Sequence, residues 1–571
     1  MTTHARPLAD WLAAASDDEL LHLFTARRVR ADSGWHDFFD AAEALLDPAS
    51  VGRALPTLTA AEARGLLRAA SGDDAGPQRE ALISLALLRP DGTPPPPVVA
   101  ALAGRASVPP VSDDTSASEP AAEDAAAHAA ERAFTTVSIL ADLVLITRDS
   151  PFALLAGGSV SAGEKRQLSE AGVPIELVDP LVAVALDAGL VVADGRRLRT
   201  ASIAEEWLRS SAADRWAALA TAFRDALPRG LRTADGGWLA PTDWRGAHPW
   251  DPSWPEHSDQ LLTSARLLGL LAEDDTEPAW SVPLRAGEPA DPAELARLLP
   301  AEVDRIFLQN DLTAIAPGPL APPLDVRLRT IAARESAAQA SSYRFTTESI
   351  TRAFASGETA ESILDFLTEI SLTGIPQPLH YLVTQSAQRH GLVRVSTEDE
   401  SGRTRIESSD LHLIEAMSVD QALRPLGLTR HGDALTTRVG RDTVFWALTD
   451  ARYPATLVGA DGRTVVGERH PALDVDPLAS SRTDLTPLIA RLRSQQGPDA
   501  DAAWMDRELE AAVRAKAVLQ VTVGMPDGST RELLLEATGL GGGRLRGRDR
   551  AADVERTLPV SSIRSATIVA S

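Results

Sequence analysis

The chain has no cysteine among its 571 residues. That absence excludes a disulfide framework, a thiolate zinc site and a thiolate-held iron–sulfur cluster. Lysine is almost missing too, with Lys165 and Lys516 alone. An ATP-driven motor needs a glycine-rich loop whose lysine reaches the β- and γ-phosphates. Gly158, Gly163 and the residues between them have that glycine spacing, but Glu164 stands where the lysine is needed. A carboxylate there would repel the phosphates, and Lys516 follows no glycine, so no P-loop ATPase is expected. No apolar run reaches the length of about 18 residues that reads as a membrane span. The start, MTTHARPLADW, lacks the apolar stretch of a secretory signal. A cytoplasmic protein is the expectation.

Catalytic patterns are missing as well. The eleven histidines form no H-E-x-x-H pair, and His380 and His390 are ten apart and face different ways on a helix. No G-x-S-x-G elbow occurs. The acid pairs Asp17-Asp18 and Asp274-Asp275 read as a helix start and a turn. No catalysis, cofactor or metal is expected.

What the chain has in excess is acid. Eighty Asp and Glu against 56 Lys and Arg give a net charge of −24, which counts against binding nucleic acid over the whole surface. The charge is uneven. Residues 1–150 hold 22 acids and 12 bases, residues 306–395 hold 8 and 7, and residues 501–571 hold 10 and 10. Any footprint on DNA must therefore be local.

At this length three to five domains are expected. Residues 1–91 read as short helices, with Leu8, Trp11, Leu12 and then Leu20, Leu21, Leu23 at helical spacing. Residues 92–129 read as a linker, rich in Pro and then in Ser, Asp, Glu and Ala. Residues 130–230 resume helical periodicity. An apolar helix at 178–189 is followed by Leu190-Val191-Val192, the turn Ala193-Asp194-Gly195 and the run Arg196 to Thr200. A helix and then a two-stranded hairpin is a winged-helix signature. Residues 258–285, inside a second unit at 231–300, repeat the idea with Leu270-Leu271 and Trp280-Ser281-Val282, and residues 345–395 are a third instance. Trp238, Trp244, Trp250 and Trp254 fall within seventeen residues among Pro and Gly. They either stack bases or pin an irregular connection to the core, and pinning is the favoured reading.

Residues 306–395 are the most distinctive stretch. A strand ends in Gln309-Asn310-Asp311-Leu312, a Pro-rich turn follows, and Arg334-Glu335-Ser336 is read as helical. Ser342-Tyr343-Arg344-Phe345-Thr346 then opens a helix at Glu348, a second helix follows Gly357, a third starts at Pro376-Gln377-Pro378, and a strand follows Gly391. In this order the motifs resemble the accessory domain at the N-terminus of XPB-type bacterial helicases, which also occurs in motorless actinobacterial helicase-associated proteins. The resemblance implies a place in DNA transactions rather than a reaction. The module is drawn at 301–465, with a linker at 466–500.

Residues 501–571 change character. A helix leads into the strand 518–523, and alternating segments at 531–537, 543–547, 556–560 and 563–569 are separated by glycine turns. That pattern predicts a small, strongly bent β-barrel. It resembles the WYL domain of bacterial regulators through Arg556-Thr557-Leu558 and Ser562-Ile563-Arg564, although Arg544-Leu545-Arg546 occupies the place of the signature triplet.

Three sets of residues are candidates for contact with nucleic acid. On the helix 378–390, His380, Thr384, Gln385, Gln388 and Arg389 share one face and can reach phosphates and base edges, or form a solvated face. Arg196, Arg197 and Arg199 stand on the first hairpin. Arg544, Arg546, Arg548 and Arg550 alternate, so on a strand they project from one face as a stripe roughly 20 Å long. Either an anionic ligand or nearby acids would match them. The fold class expected is α+β, mainly helical, with several winged-helix-like units, a helicase-associated module and the C-terminal barrel. The function expected is that of a non-enzymatic accessory or regulatory factor binding DNA or a DNA-processing partner. A ligand-sensing WYL-type regulator and a protein-interaction scaffold are the alternatives.

Overall fold

The computed structural model describes residues 5–105, 108, 120–170, 173–337, 340–397, 402–474, 484–496, 500–525 and 528–568. It is a mixed helix and sheet protein in which four sheets are distributed along a largely helical chain. Many helix starts are set locally. Ser16 with Glu19, Thr59 with Glu62, Thr346 with Ser349 and Thr359 with Ser362 form reciprocal capping boxes. Each satisfies donors that the first helical turn leaves unpaired.

The N-terminal helices bury Leu12, Leu20, Phe24, Phe38 and Phe39. They are joined there by residues from the other end of the chain: Leu485, Leu488, Ile489, Leu492 and Trp504 belong to the same core. Helix Thr486–Ser494, drawn in the sequence as part of a linker, is held by Arg493. Its Nη1 donates to the Ala13 carbonyl at 2.6 Å, and its guanidinium lies 5.2 Å from the Phe38 ring. The expected linker at 92–129 likewise contains helix Pro96–Leu102, with Val98 and Leu102 buried, and the start of the 27-residue helix Glu123–Asp149. Prolines at the helix start cost nothing there, because their missing donors lie in the unpaired first turn. The Ser/Asp/Glu-rich tract at 109–119 lies outside the described residues.

Helix Glu123–Asp149 runs through the largest core. Strand Phe152–Ala153, helices Ala162–Glu170 and Val178–Asp187, and the hairpin Val191–Asp194 with Arg197–Thr200 follow it. The hairpin's second strand is central in a three-stranded sheet. The second expected hairpin does not form. After helix Trp254–Leu267, no strand occurs between residues 268 and 285, and Val282 opens the short helix Val282–Arg285. Pro278 and Pro283 cannot donate to a ladder, and the Trp280 indole turns inward to the Gly269 carbonyl at 2.8 Å. The four clustered tryptophans are all buried. Trp244 Nε1 donates to Leu239 and Trp254 Nε1 to Trp244, so these rings pin the connection and offer no face to a base.

Residues 306–383 share one core and residues 355–457 another. The first holds a four-stranded sheet and helices Thr347–Ala355, Ala360–Ile370 and Gln377–Arg389. One expectation is corrected here. Arg334-Glu335-Ser336 is not helical but lies in strand Ala333–Ala337, paired with Ser341–Arg344. The helix before it, Pro322–Ile331, ends at an extended Ala332. The helix propensity of Ala332-Ala333-Arg334-Glu335 is weak against tertiary partners; Arg334 instead reaches Asp142 on helix Glu123–Asp149. Strands Val393–Thr397 and Thr404–Ser408 then form an antiparallel hairpin inside a six-stranded sheet that ends at Thr464–Val465.

The C-terminal sheet is also not the closed barrel expected. It is five-stranded and antiparallel, and among the described residues its outer strands, Val554–Pro559 and Ile563–Ile568, are not paired with each other. The 3-10 turn Val560–Ser562 carries the chain from one edge to the other. Register shifts at Ala537/Gly539 and Thr522/Val523 add local bends to the sheet. Of the glycine turn Pro526-Asp527-Gly528 expected between the first two strands, Pro526 and Asp527 lie outside the described residues.

Helix Ala500–Ala515 carries Glu508, whose carboxyl lies 3.8 Å from Arg6, with the Glu508 side chain 8% exposed. Burial raises its pKa to about 7, Arg6 opposes that rise and Asp10 adds to it. The folded state therefore keeps a proton that the unfolded chain releases near 4.5. The stabilisation is complete below that value and is lost as pH rises through about 7. Urea unfolding at pH 5 and pH 8 should show lower stability at pH 8, and Glu508→Gln should reduce the difference. An unchanged difference would exclude Glu508 as its source.

Candidate nucleic-acid interface

Helix Gln377–Arg389 stands at the end of the three-helix set and leads directly into the hairpin Val393–Thr397 with Thr404–Ser408. Its apolar side buries Leu379 and Val383, with Leu382 and Ala387 packed at the edge. The opposite side presents His380, Tyr381, Gln385, Gln388 and Arg389 to solvent, with Thr384 half-buried between them. This is the face that the helical spacing predicted. Thr384 is already committed within its own helix, its hydroxyl donating to the His380 carbonyl at 2.8 Å. The helix contains no acidic residue, so Arg389 leaves it with a net positive charge in a chain of net charge −24.

The first hairpin offers less than its sequence suggested. Arg196 and Arg197 are exposed. Arg199 is structural: it pairs with Asp194 at 3.1 Å and donates to the Pro471 carbonyl at 2.8 Å. It holds the hairpin against residues 466–472, where the backbones of Thr200 and Ser202 also bond to Leu473.

In the C-terminal sheet, Arg544, Arg546 and Arg548 alternate outward from strand Arg544–Asp549 while Leu545, Gly547 and Asp549 point inward. Arg550 follows in the turn. The stripe is divided in its chemistry. Arg548 pairs with Asp553 at 2.7 Å and Arg550 lies 3.7 Å from Glu536. Arg544 and Arg546 have no ion-pair or side-chain hydrogen-bond partner among the described residues. The neighbours of Arg546 across the ladders are Gly539 and Thr557, and those of Arg544 are Gly541 and Pro559. The inward Asp549 is held below the usual carboxylate range by its hydrogen bond from Arg556, and backbone donors assist.

The three sets do not converge on one surface element. A feature that sequence reasoning missed lies where the first hairpin, helix Thr347–Ala355, the end of helix Gln377–Arg389 and helix Arg441–Asp450 meet: a cleft of about 1030 Å³. Arg389 is the one candidate residue that lines it; Arg352, His390, Trp446 and Arg469 come from elsewhere. These residues are spread over more than a hundred positions and form no local motif. His390 is kept neutral to lower pH by burial.

Residues 306–432 match the family described as helicase conserved C-terminal domain. None of the curated proteins compared with the chain matches it. The matched stretch contains both the four-stranded sheet and helix Gln377–Arg389, and ends inside the hairpin between Thr429–His431 and Ala434–Thr437. A helicase-associated domain is thus present, and it points to a nucleic-acid-related role. Among the described residues no helix is long and apolar enough to cross a membrane, and no cluster of His and acids could hold a metal ion.

Proposed function

We propose that the chain is a non-catalytic accessory or regulatory factor in DNA transactions, binding DNA or a DNA-processing partner through its helicase-associated domain. The observation that carries this reading is helix Gln377–Arg389. It is free of acids, it exposes His380, Gln385, Gln388 and Arg389, and it precedes a two-stranded hairpin within the helicase-type match. That order suits a winged-helix unit with this helix as its recognition element. Residues 152–200, with two helices before a hairpin and a third strand beside it, support a second such unit. The motif order across 306–395 supports the XPB-type accessory assignment. The non-catalytic reading is supported at Lys165, which is ion-paired with Asp179, while neighbouring Glu164 accepts from the Ala153 amide at 3.3 Å.

Electrophoretic shifts with single-stranded, double-stranded and forked DNA at two salt concentrations test the reading. Binding should weaken as salt rises. Arg389→Ala should lower affinity and flatten the log–log salt slope on duplex by roughly 0.9, the loss of one phosphate contact. An unchanged affinity and slope would remove this helix from the interface. Failure of the wild-type protein to bind any of the three DNAs would leave the scaffold reading. A ligand-sensing, WYL-like role for the C-terminal sheet is favoured by one observation, the unpartnered pair Arg544 and Arg546. It requires DNA binding that changes when the ligand is added.

A further inference from the structure

The walls of the cleft come from three distant parts of the chain: residues 148–150 with 200–208, residues 347–390, and helix Arg441–Asp450 with the strap 466–472. The strap is held at its middle and at its C-terminal end. Arg469 makes a bidentate pair with Asp450, at 2.6 and 3.0 Å, and Leu473 bonds to Thr200 and Ser202.

Charges inside the cleft are unequally committed. Glu348 is neutralised by Arg452 at 2.9 Å, Asp450 by Arg469, Asp149 by Arg148 at 3.8 Å, and Glu205 by Arg209 at 2.6 Å. Arg352 and Arg389 line the same cleft, are exposed, and have no ion-pair or side-chain hydrogen-bond partner among the described residues. Two uncommitted guanidiniums thus face a space where most acids are already matched.

The polar atoms in the walls point the same way. Trp446 Nε1 and His390 Nδ1 are closed off from solvent and have no hydrogen-bond partner among the described residues. A buried polar atom left without a partner destabilises the fold. An acceptor oxygen admitted by a slight outward shift of the strap would offset that cost. The hydroxyls of Thr347, Ser356 and Ser386 line the same cleft, while that of Thr351 is committed to the Thr347 carbonyl at 2.7 Å. The planar fork of arginine, hydroxyl donors and ring N–H groups together form the usual donor set for phosphate oxygens. A space of about 1030 Å³ is large enough for a nucleotide unit.

We infer that this cleft is a phosphate-binding site, taking a backbone phosphodiester of a nucleic-acid strand or the phosphate of a free nucleotide, with Arg352 as its principal anchor. The strand form of the inference rests on the nucleic-acid reading given above; the nucleotide form does not. Arg352 is assigned this role because it lies one helix away from the face that carries His380 and Gln385. Its loss can therefore be told apart from damage to that face.

The test uses the full-length protein, a fluorescent single-stranded 20-mer, a fluorescent mononucleotide and inorganic phosphate as competitor. Arg352→Glu should weaken the bound probe at least fivefold and Arg352→Lys should restore part of it. On the 20-mer, the salt slope should flatten by roughly 0.7. A loss on the 20-mer alone identifies a strand as the source, and a loss on the mononucleotide identifies a free nucleotide. If the wild-type protein binds the 20-mer and Arg352→Glu binds it equally, the cleft inference is overturned while the nucleic-acid function stands. If the mononucleotide or phosphate binds through Arg352 and no nucleic acid binds, the cleft stands and that function fails. Binding of none of the probes overturns the cleft inference, and the shift series with the three DNAs then decides the function separately.

Discussion

Asp142→Ala should destabilise the protein by about 3–5 kcal/mol, the range for breaking one side of a buried ion pair. Asp142 projects from helix Glu123–Asp149 towards the helicase-associated domain. Its Oδ1 lies 2.7 Å from Arg329 and its Oδ2 contacts Arg334, and all three side chains are 14–15% exposed. Asp325 completes the cluster, 3.6 Å from Arg329, and accepts from the Tyr343 hydroxyl at 2.6 Å. Burial alone would lower the Arg329 pKa, but Asp142 and Asp325 outweigh it and hold it above its ordinary value. Removing Asp142 leaves Arg329 with Asp325 alone and takes from Arg334 the carboxylate it contacts. Denaturant unfolding followed by tryptophan fluorescence should show the loss, and limited proteolysis should cleave the variant earlier. Asp149→Ala, whose exposed pair with Arg148 spans 3.8 Å, should change stability by about 0.5 kcal/mol or less. A loss of similar size at both positions would show that Asp142 is an ordinary surface charge.

Trp244→Ala should cost about 3–5 kcal/mol, as truncation of a fully buried tryptophan does. The ring is 0% exposed and stacks on Phe223 with centroids 6.5 Å apart. Its Nε1 satisfies the Leu239 carbonyl at 2.8 Å, so the truncation creates a cavity and also leaves that acceptor unpaired. The effect should fall on stability alone. The protein that remains folded should bind DNA with wild-type affinity and salt slope. A loss of affinity with stability intact would mean that the indoles contact bases.

These two sites show what the sequence could and could not carry. The helix starts after Thr346 and after Gly357, the apolar side of helix Gln377–Arg389 and the turn Asp194-Gly195 are local signals, each decided within a few residues, and all were readable. The burial of the tryptophan cluster followed from its setting among Pro and Gly. Failures came where distant partners decide the outcome. Strand Ala333–Ala337 exists because Ser341–Arg344 and Asp142 take up its backbone and its Arg334. Helix Thr486–Ser494 looked like linker because the core it completes lies more than 400 residues earlier. The pattern of the C-terminal strands was legible, whereas closure depends on hydrogen bonds between edges that no alternation specifies. Of the candidate interface, one helix face was legible; the role of Arg199 and the cleft behind Arg389 required the packing of separate modules.

The return of helix Thr486–Ser494 and of Trp504 to the N-terminal helices has a consequence for synthesis on the ribosome. Phe38 and Phe39 are made roughly 450 residues before Arg493 and Trp504, which cover them. At about 5–20 residues per second, some 450 residues of synthesis mean a wait of roughly 25–90 seconds. Through that interval the nascent N-terminal helices carry an uncovered apolar face, which stays open until the chain has been extended past Trp504.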